Sequence, residues 1–365
     1  MAQPIITTAA GNGRLESLDM LRGLDLFMLV GLQPVLVAAG RAAGASWLDP
    51  LLRQLDHAVW EGFTAWDLVM PLFLFMTGAA IPFAMSRYLK PGASKADAWR
   101  RIGRRVVVLW LLGMIVQGNL LGLDPGRFHL YTNTLQAIAA GYLIAGATML
   151  TVPRRYHAAV AAGLLALMAI PMSIHGDFSP QGNLPYLIEE AVMGGDRGDS
   201  SYTWIWSSLG FGVTVMLGML AGEIMNAADT PRPRKALRLV AVGTALLLAG
   251  WLWSFETPIV KRIWTGSMVL WSGGWCYLLM GAFYYVIDCR GTRFHAEWLK
   301  IYGMNSITAY MLGETINFRS IVHSLTFGLQ PHIGPWYDTL LTAGNFAVLF
   351  LILAWMHRDR LYLRI

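Results

Sequence analysis

Apolar runs of about 20 residues recur along the chain, separated by short polar connections, and each is long enough to cross a hydrocarbon layer about 30 Å thick. They run from Ser17 to Ala39, Thr64 to Met85, Val106 to Leu121, Thr134 to Leu150 and Ala158 to Ile174. A second group runs from Tyr202 to Ile224, Leu237 to Trp253, Ser267 to Ile287, Tyr302 to Ile316 and Leu340 to Met356. In lipid a single segment satisfies its own backbone only as a helix. The pattern therefore predicts an all-α polytopic membrane helix bundle of about ten transmembrane helices, with both termini on one side.

Composition supports this: 55% of residues are hydrophobic and 14% charged, against about 25% charged in soluble domains. The net charge of +6 does not point to nucleic acid, because the basic residues lie between apolar runs and form no single patch. They are topology signals: about three-quarters of the 28 lysines and arginines fall on the side of the termini, which assigns that side to the cytoplasm. Residues 1–13 read as a short cytoplasmic tail without the apolar core of a signal peptide, and 14–365 as one transmembrane domain. Cys276 and Cys289 imply no disulfide framework. The connection from His175 to Ser201, rich in Gly, Pro and Asp, is either a lid on the outer face or a plain solvated link.

Candidate chemistry gathers in the stretch Leu55 to Gly78, where His57, Trp60, Glu61, Trp66 and Asp67 stand at the entrance of a span. Tryptophans suit a membrane interface, which puts His57 at the outer surface and Asp67 about one turn inside. Asp67 is then either a functional group kept at depth or a helix-start charge favoured by the macrodipole. Asp19, Arg22 and Asp25 recur at spacing three, as an internal ion-pair network or a binding site. His129, Asn133 and Gln136 mark the entrance of the fourth span, and Asn305, Ser306 and Glu314 lie in the ninth, with Glu314 near the outer side. Gly218 and Gly222 have small-residue helix-packing spacing. No phosphate-loop lysine, dinucleotide fingerprint, HExxH or cysteine cluster is present, so no metal is expected.

Ser17-Leu18-Asp19-Met20-Leu21-Arg22-Gly23, the His57 to Gly78 stretch, Leu135-Gln136, Ile263-Trp264-Thr265 and Tyr302-Gly303-Met304-Asn305-Ser306 resemble, in that order, the heparan-α-glucosaminide N-acetyltransferase family. The basic, aromatic end from Arg358 to Ile365 is similar too. The chain departs from the family at Ala137, where an arginine is expected, and around Gly31-Leu32-Gln33-Pro34, where an asparagine is. Without the animal enzyme's lumenal domain it looks like a bacterial inner-membrane member linked to amino-sugar use. The resemblance implies transfer of acetyl from cytoplasmic acetyl-CoA to the amine of glucosamine or a terminal glucosaminide on the far, periplasmic side. It also implies that His57 is the catalytic residue and that the chain is a homodimer in the lipid bilayer.

The residues suit that task. Histidine is a base that works near neutral pH, and a carboxylate, Asp67 first and Glu314 second, orients it or holds the amino sugar. Trp60, Glu61 and Gln136 complete the expected sugar-binding set with Glu314. Arg22, Arg100, Arg104 and Arg105 are expected at the cytoplasmic mouth for the nucleotide phosphates, with Asn305 and Ser306 deeper for the pantetheine arm. Two other functions fit the same spans: a secondary transporter for an amino sugar, and an O-acetyltransferase acting on a cell-surface polysaccharide.

Overall fold

The computed structural model describes residues 15–90, 92–118, 130–194, 201–292 and 298–363. The tail at 1–13, the end of the third predicted span at Leu121, and His129 lie outside them. In chain order the helices are α1 (Glu16–Phe27), α2 (Gln33–Ala43), α3 (Asp49–Gln54), α4 (Val69–Met85), α5 (Lys95–Val116), α6 (Thr134–Thr151), α7 (His157–His175) and α8 (Leu184–Met193). There follow α9 (Ser207–Asn226), α10 (Arg232–Trp253), α11 (Gly266–Phe283), α12 (Trp298–Met304), α13 (Ser306–Thr315), α14 (Arg319–Thr326), α15 (Gln330–Ile333) and α16 (Trp336–Arg358). A π-helical turn at Met28–Leu32 joins α1 to α2, so the two form one long rod.

Among the described residues, seven helical stretches are long and apolar enough to cross a membrane: Glu16–Ala43, Ala65–Tyr88, Thr134–Thr151, Arg154–His175, Ser207–Asn226, Arg232–Trp253 and Trp336–Arg358. The other three predicted spans are helical as well but differ in character. α5 carries Lys95, Arg100, Arg101, Arg104 and Arg105 in its first half, and α11 interleaves glycine, serine and tyrosine with its apolar residues. The ninth predicted span is broken at Asn305, whose backbone leaves the helical region, into α12 and α13.

α4 and α9 form the middle of the bundle. Both are apolar on nearly every side and largely buried, as expected of helices surrounded by others. Their backbones nearly touch: a Cβ at Gly78 would lie 1.8 Å from the Val215 carbonyl oxygen, and one at Gly218 would lie 1.9 Å from that of Phe75. Small residues let helices approach this closely where no hydrophobic force drives them together. α1 meets α12 in the same way, with Gly23 against the Leu299 carbonyl and Gly303 against that of Asp19. α10 and α16 lie outside and expose Leu237, Leu248, Trp251, Leu351 and Trp355, an apolar face suited to lipid.

The two ends of the bundle are tied differently. At the end where α1 begins, Glu223 accepts from Arg154 at 3.2 Å and pairs with His157 at 2.6 Å, and Lys235 donates to the Met225 carbonyl at 2.8 Å. At the opposite end the loop before α4 is sewn to the turn between α10 and α11. Glu61 and Val260 form an antiparallel bridge, and the Gly62 N–H donates to the Ile259 carbonyl at 2.9 Å.

That turn is itself tightly specified. Trp264 adopts a left-handed backbone, φ 53°, a strain of about 1–3 kcal/mol that persists only where packing demands it. Its indole is buried edge-on to Phe211 at 4.7 Å and donates to Thr214 at 3.2 Å. Thr265 accepts from the Val260 N–H at 3.1 Å and donates to the Pro258 carbonyl at 2.9 Å. Lys261, between these anchors, is thereby carried to the side of His57.

The close approach of α4 and α9 predicts an asymmetry between two glycine substitutions. Gly78→Ala drives a methyl into backbone and is expected to destabilise the chain by about 1–3 kcal/mol. Gly163→Ala on α7 meets nothing within 4 Å and is expected to be neutral or slightly stabilising. Thermal midpoints of detergent-purified chains measure both, and equal midpoints would contradict the packing described.

Candidate active site

Asp67 is the organising group. The chain enters α4 through a short 3-10 turn, Ala65–Leu68, with Thr64 as its N-cap and Asp67 at the third position, a reciprocal capping box. One carboxylate oxygen, Oδ2, accepts from the backbone N–H groups of Ala58 and Thr64 and from the Thr64 hydroxyl, each at 3.1 Å. The other, Oδ1, lies 2.7 Å from His57 Nδ1 and 3.4 Å from Lys261 Nζ. One carboxylate thus both caps the start of α4 and holds the His57 ring.

A carboxylate acceptor at 2.7 Å favours the tautomer with the ring proton on Nδ1 and the lone pair on Nε2, with the Lys261 ammonium 3.2 Å from the same Nδ1. Among the described residues Nε2 has no hydrogen-bond partner, and the side chain is 37% exposed while Asp67 is 1% exposed. Lys261 is also nearly enclosed, at 6%. Burial draws Lys261 down to about 8 against the opposing pull of Asp67, so at neutral pH it remains an ammonium.

His57 and Lys261 open into a cavity of about 560 Å³, within the range of about 300–1,000 Å³ usual for small-molecule sites. Trp66, Phe73 and Trp204 supply its flat apolar walls, and Asn133, Tyr202 and Tyr310 its neutral polar groups. Glu314 of α13 lines the same cavity, so the two ends of the sequence converge on one space. Burial pushes Tyr202 up to about 12, so its hydroxyl stays protonated at neutral pH. The cavity joins one acid, one base with a free lone pair, and one cation, between aromatic faces.

The remaining sequence-predicted residues are placed elsewhere. Trp60 donates to the Phe178 carbonyl at 2.8 Å, fastening the His57 loop to the segment after α7, and Glu61 is exposed beside its bridge to Val260. The Gln136 side chain accepts from the N–H groups of Thr132 and Asn133 at 2.8 and 3.0 Å and donates to the Leu130 carbonyl at 2.7 Å. It closes the capping box that starts α6 and does not line the cavity. Arg22 lies 3.6 Å from Asp19, Arg100 pairs with Asp97 at 3.4 Å, and Arg104 is exposed. Arg105 stacks over Tyr142 at 4.5 Å. None of these arginines reaches the His57 cavity. Asn305 is buried at the break between α12 and α13, with both side-chain amide atoms unpartnered among the described residues, and Ser306 begins α13.

Sequence reasoning missed Lys261, which it treated as a topology charge, and Trp204. Trp204 is held by the long connection before α9: its N–H and that of Ile205 donate to the buried Glu189 carboxylate of α8 at 3.0 Å.

A buried carboxylate with this many donors predicts a graded response to substitution. Asp67→Ala strands the loop N–H groups and Lys261, at an expected cost of about 3–5 kcal/mol. Asp67→Asn keeps acceptor capacity and is expected to cost less. If Asp67→Ala melted with the unaltered chain, the carboxylate would not be holding the loop.

No family model matches the chain. A 103-residue stretch is 32% identical to the heparan-alpha-glucosaminide N-acetyltransferase of Homo sapiens, covering 28% of this chain and 14% of that protein. A 114-residue stretch is 31% identical to the enzyme of the same name from Mus musculus, covering 31% of this chain and 15% of that one. The match thus spans about a seventh of each relative's length, and within it the chain is similar to these N-acetyltransferases.

Proposed function

We propose that the chain is a membrane acyltransferase that moves an acetyl group from acetyl-CoA to the amine of glucosamine or a terminal glucosaminide, with His57 as general base. The observation that carries the reading is the His57–Asp67 pair. Its free Nε2 belongs to a ring that shares a small-molecule cavity with Glu314. The partial likeness to two acetyltransferases adds independent support.

The chemistry follows from the groups present. Glu314 attracts the sugar ammonium, which first gives up one proton to solvent through that carboxylate so that the nitrogen carries a lone pair, and the tryptophan faces suit the apolar face of a pyranose ring. His57 Nε2 takes the amine proton as the nitrogen attacks the thioester carbonyl carbon. The new N–C bond forms, the C–S bond breaks, and the proton on His57 leaves with the thiolate as free CoA. A positioned base of this kind contributes about 10²–10⁴-fold. Lys261, a cavity-lining cation, is placed to favour negative charge on the carbonyl oxygen during the attack.

For the donor, the arginines of α1 and α5 provide forked phosphate ligands at the end opposite His57. The unpartnered amide of Asn305 matches the amide-bearing arm that would reach from there toward the cavity. In this proposal the arginine-rich end is cytoplasmic by the excess of positive charge, the His57 cavity opens to the periplasm of a bacterial cell, and the bilayer surrounds α10 and α16.

The test uses detergent-purified protein with acetyl-CoA and glucosamine, following CoA release and the N-acetyl product together. Turnover is expected, and His57→Ala is expected to lower it by about 10²–10⁴-fold with monodisperse elution retained. Normal turnover in His57→Ala would remove the assigned role. Glucosamine counterflow in vesicles with no CoA release would replace the acyltransferase by a carrier.

A further inference from the structure

Trp204 and Thr132 both line the His57 cavity. Among the described residues, neither the buried indole nitrogen of Trp204, Nε1, nor the buried Thr132 hydroxyl oxygen has a hydrogen-bond partner. Other polar groups of the same wall are engaged. Asn133 accepts from the Leu135 N–H at 2.7 Å and donates to the Tyr310 hydroxyl at 3.5 Å, and His57 and Lys261 meet at Asp67. A buried donor without an acceptor is costly, so these two groups suit an occupant of the cavity that supplies partners.

Both side chains are held in place. Trp204 is 6% exposed, and its ring lies 5.8, 6.0 and 6.1 Å from those of Tyr131, Tyr202 and Phe211. Its backbone is fixed at both ends, the N–H by Glu189 and the carbonyl by the Ser208 hydroxyl at 2.7 Å. Thr132 donates its N–H to Gln136 at 2.8 Å, and its carbonyl accepts from Gln117 at 3.3 Å. Tyr131, which packs on Trp204, immediately precedes Thr132, so the two unpartnered groups come from adjacent parts of the wall.

We propose that Trp204 and Thr132 form a hydroxyl-reading subsite of this cavity, which takes a sugar hydroxyl while the amine faces Glu314 and His57. The inference rests on the reading of the cavity as the amino-sugar site, and it adds what tells an amino sugar from a plain amine.

The donor and acceptor inventory selects the group. An indole N–H only donates, whereas a threonine hydroxyl donates or accepts. An ammonium has no lone pair to offer the indole, so this corner does not take the amine. A hydroxyl accepts from Trp204, exchanges a second bond with Thr132, and brings no charge to be desolvated. A sulfate or carboxylate oxygen would also accept, but Lys261, the lysine on the cavity wall, is committed to Asp67. An occupant lacking the hydroxyl leaves a buried N–H unpaired, a penalty that a purely apolar pocket does not impose.

The experiment is calorimetric titration of the detergent-purified chain with glucosamine and with analogues each lacking one of its hydroxyls, with CoA release followed on the same set. One analogue is expected to bind about 10–100-fold more weakly than glucosamine. A set that binds uniformly, as when water alone serves the two groups, would overturn the proposal without any variant. Trp204→Phe keeps a ring in the same packing and removes the N–H. It is expected to weaken glucosamine and to leave the sensitive analogue bound as before, so that the preference disappears. Thr132→Val makes the same test from the other group, and serves if Trp204→Phe does not fold. A preference of unchanged size in a folded variant would also overturn the proposal, as would tighter binding of an O-sulfated glucosamine. A hydroxyl preference in a chain that releases no CoA would support the subsite and remove the acetyltransferase reading. N-acetyl product with no hydroxyl preference would keep that reading and remove the subsite, and no glucosamine binding at all would remove both.

Discussion

The carboxylate of Asp67 does two jobs with two oxygens, and this end of the bundle depends on that division. Oδ2 closes the loop of residues 57–64 onto the start of α4, and Oδ1 holds His57 and Lys261. A group that folds a loop and orients a ring cannot be altered for one purpose without disturbing the other. Keeping a carboxylate 1% exposed is costly unless hydrogen bonds and an opposite charge accompany it. Here two loop N–H groups, the Thr64 hydroxyl, the His57 ring and one lysine supply them. The arrangement ties the stability of a helix entrance to the state of the candidate base.

The rest of the bundle makes this possible by being rigid where the site is exacting. α4 enters the core immediately after Asp67 and packs backbone to backbone on α9 at Gly78 and Gly218, so the capping turn rests on an element with little room to shift. α9 in turn anchors Trp264 through Phe211 and Thr214, and Trp264 fixes the turn bearing Lys261. On the other side of the cavity, Asn133 at the start of α6 reaches the Tyr310 hydroxyl of α13 at 3.5 Å, linking the wall that carries Glu314 to the same frame. The break at Asn305 sits where two short helices take the place of one span, and non-helical backbone at that depth is tolerated where protein or a polar cavity surrounds it.

Much of this was legible in the chain itself. Lipid leaves an isolated apolar segment no choice but to be a helix, so length and hydropathy alone place the long spans. The pairing of His57 with Asp67 is local, ten residues apart across one helix entrance. Gln136 was open to a better reading, because Asn133 three residues earlier is the capping-box spacing, and its side chain goes to the helix start. Lys261 had no local signal. Its place beside His57 comes from a bridge between segments about 200 residues apart, and in a linear sequence it is one more basic residue in a loop. The arginines of α5 were assigned to the end of the bundle opposite His57, and which ligand they meet depends on depth and side-chain direction, which periodicity does not encode.

The most direct test of the account is a cryo-electron microscopy map of the protein with glucosamine and a non-transferable acetyl-CoA analogue. The account predicts the sugar amine between His57 Nε2 and Glu314, with the carbonyl of the analogue arriving from the arginine-rich end. A sugar bound elsewhere, or an analogue confined to a surface with no approach to the imidazole, would contradict it.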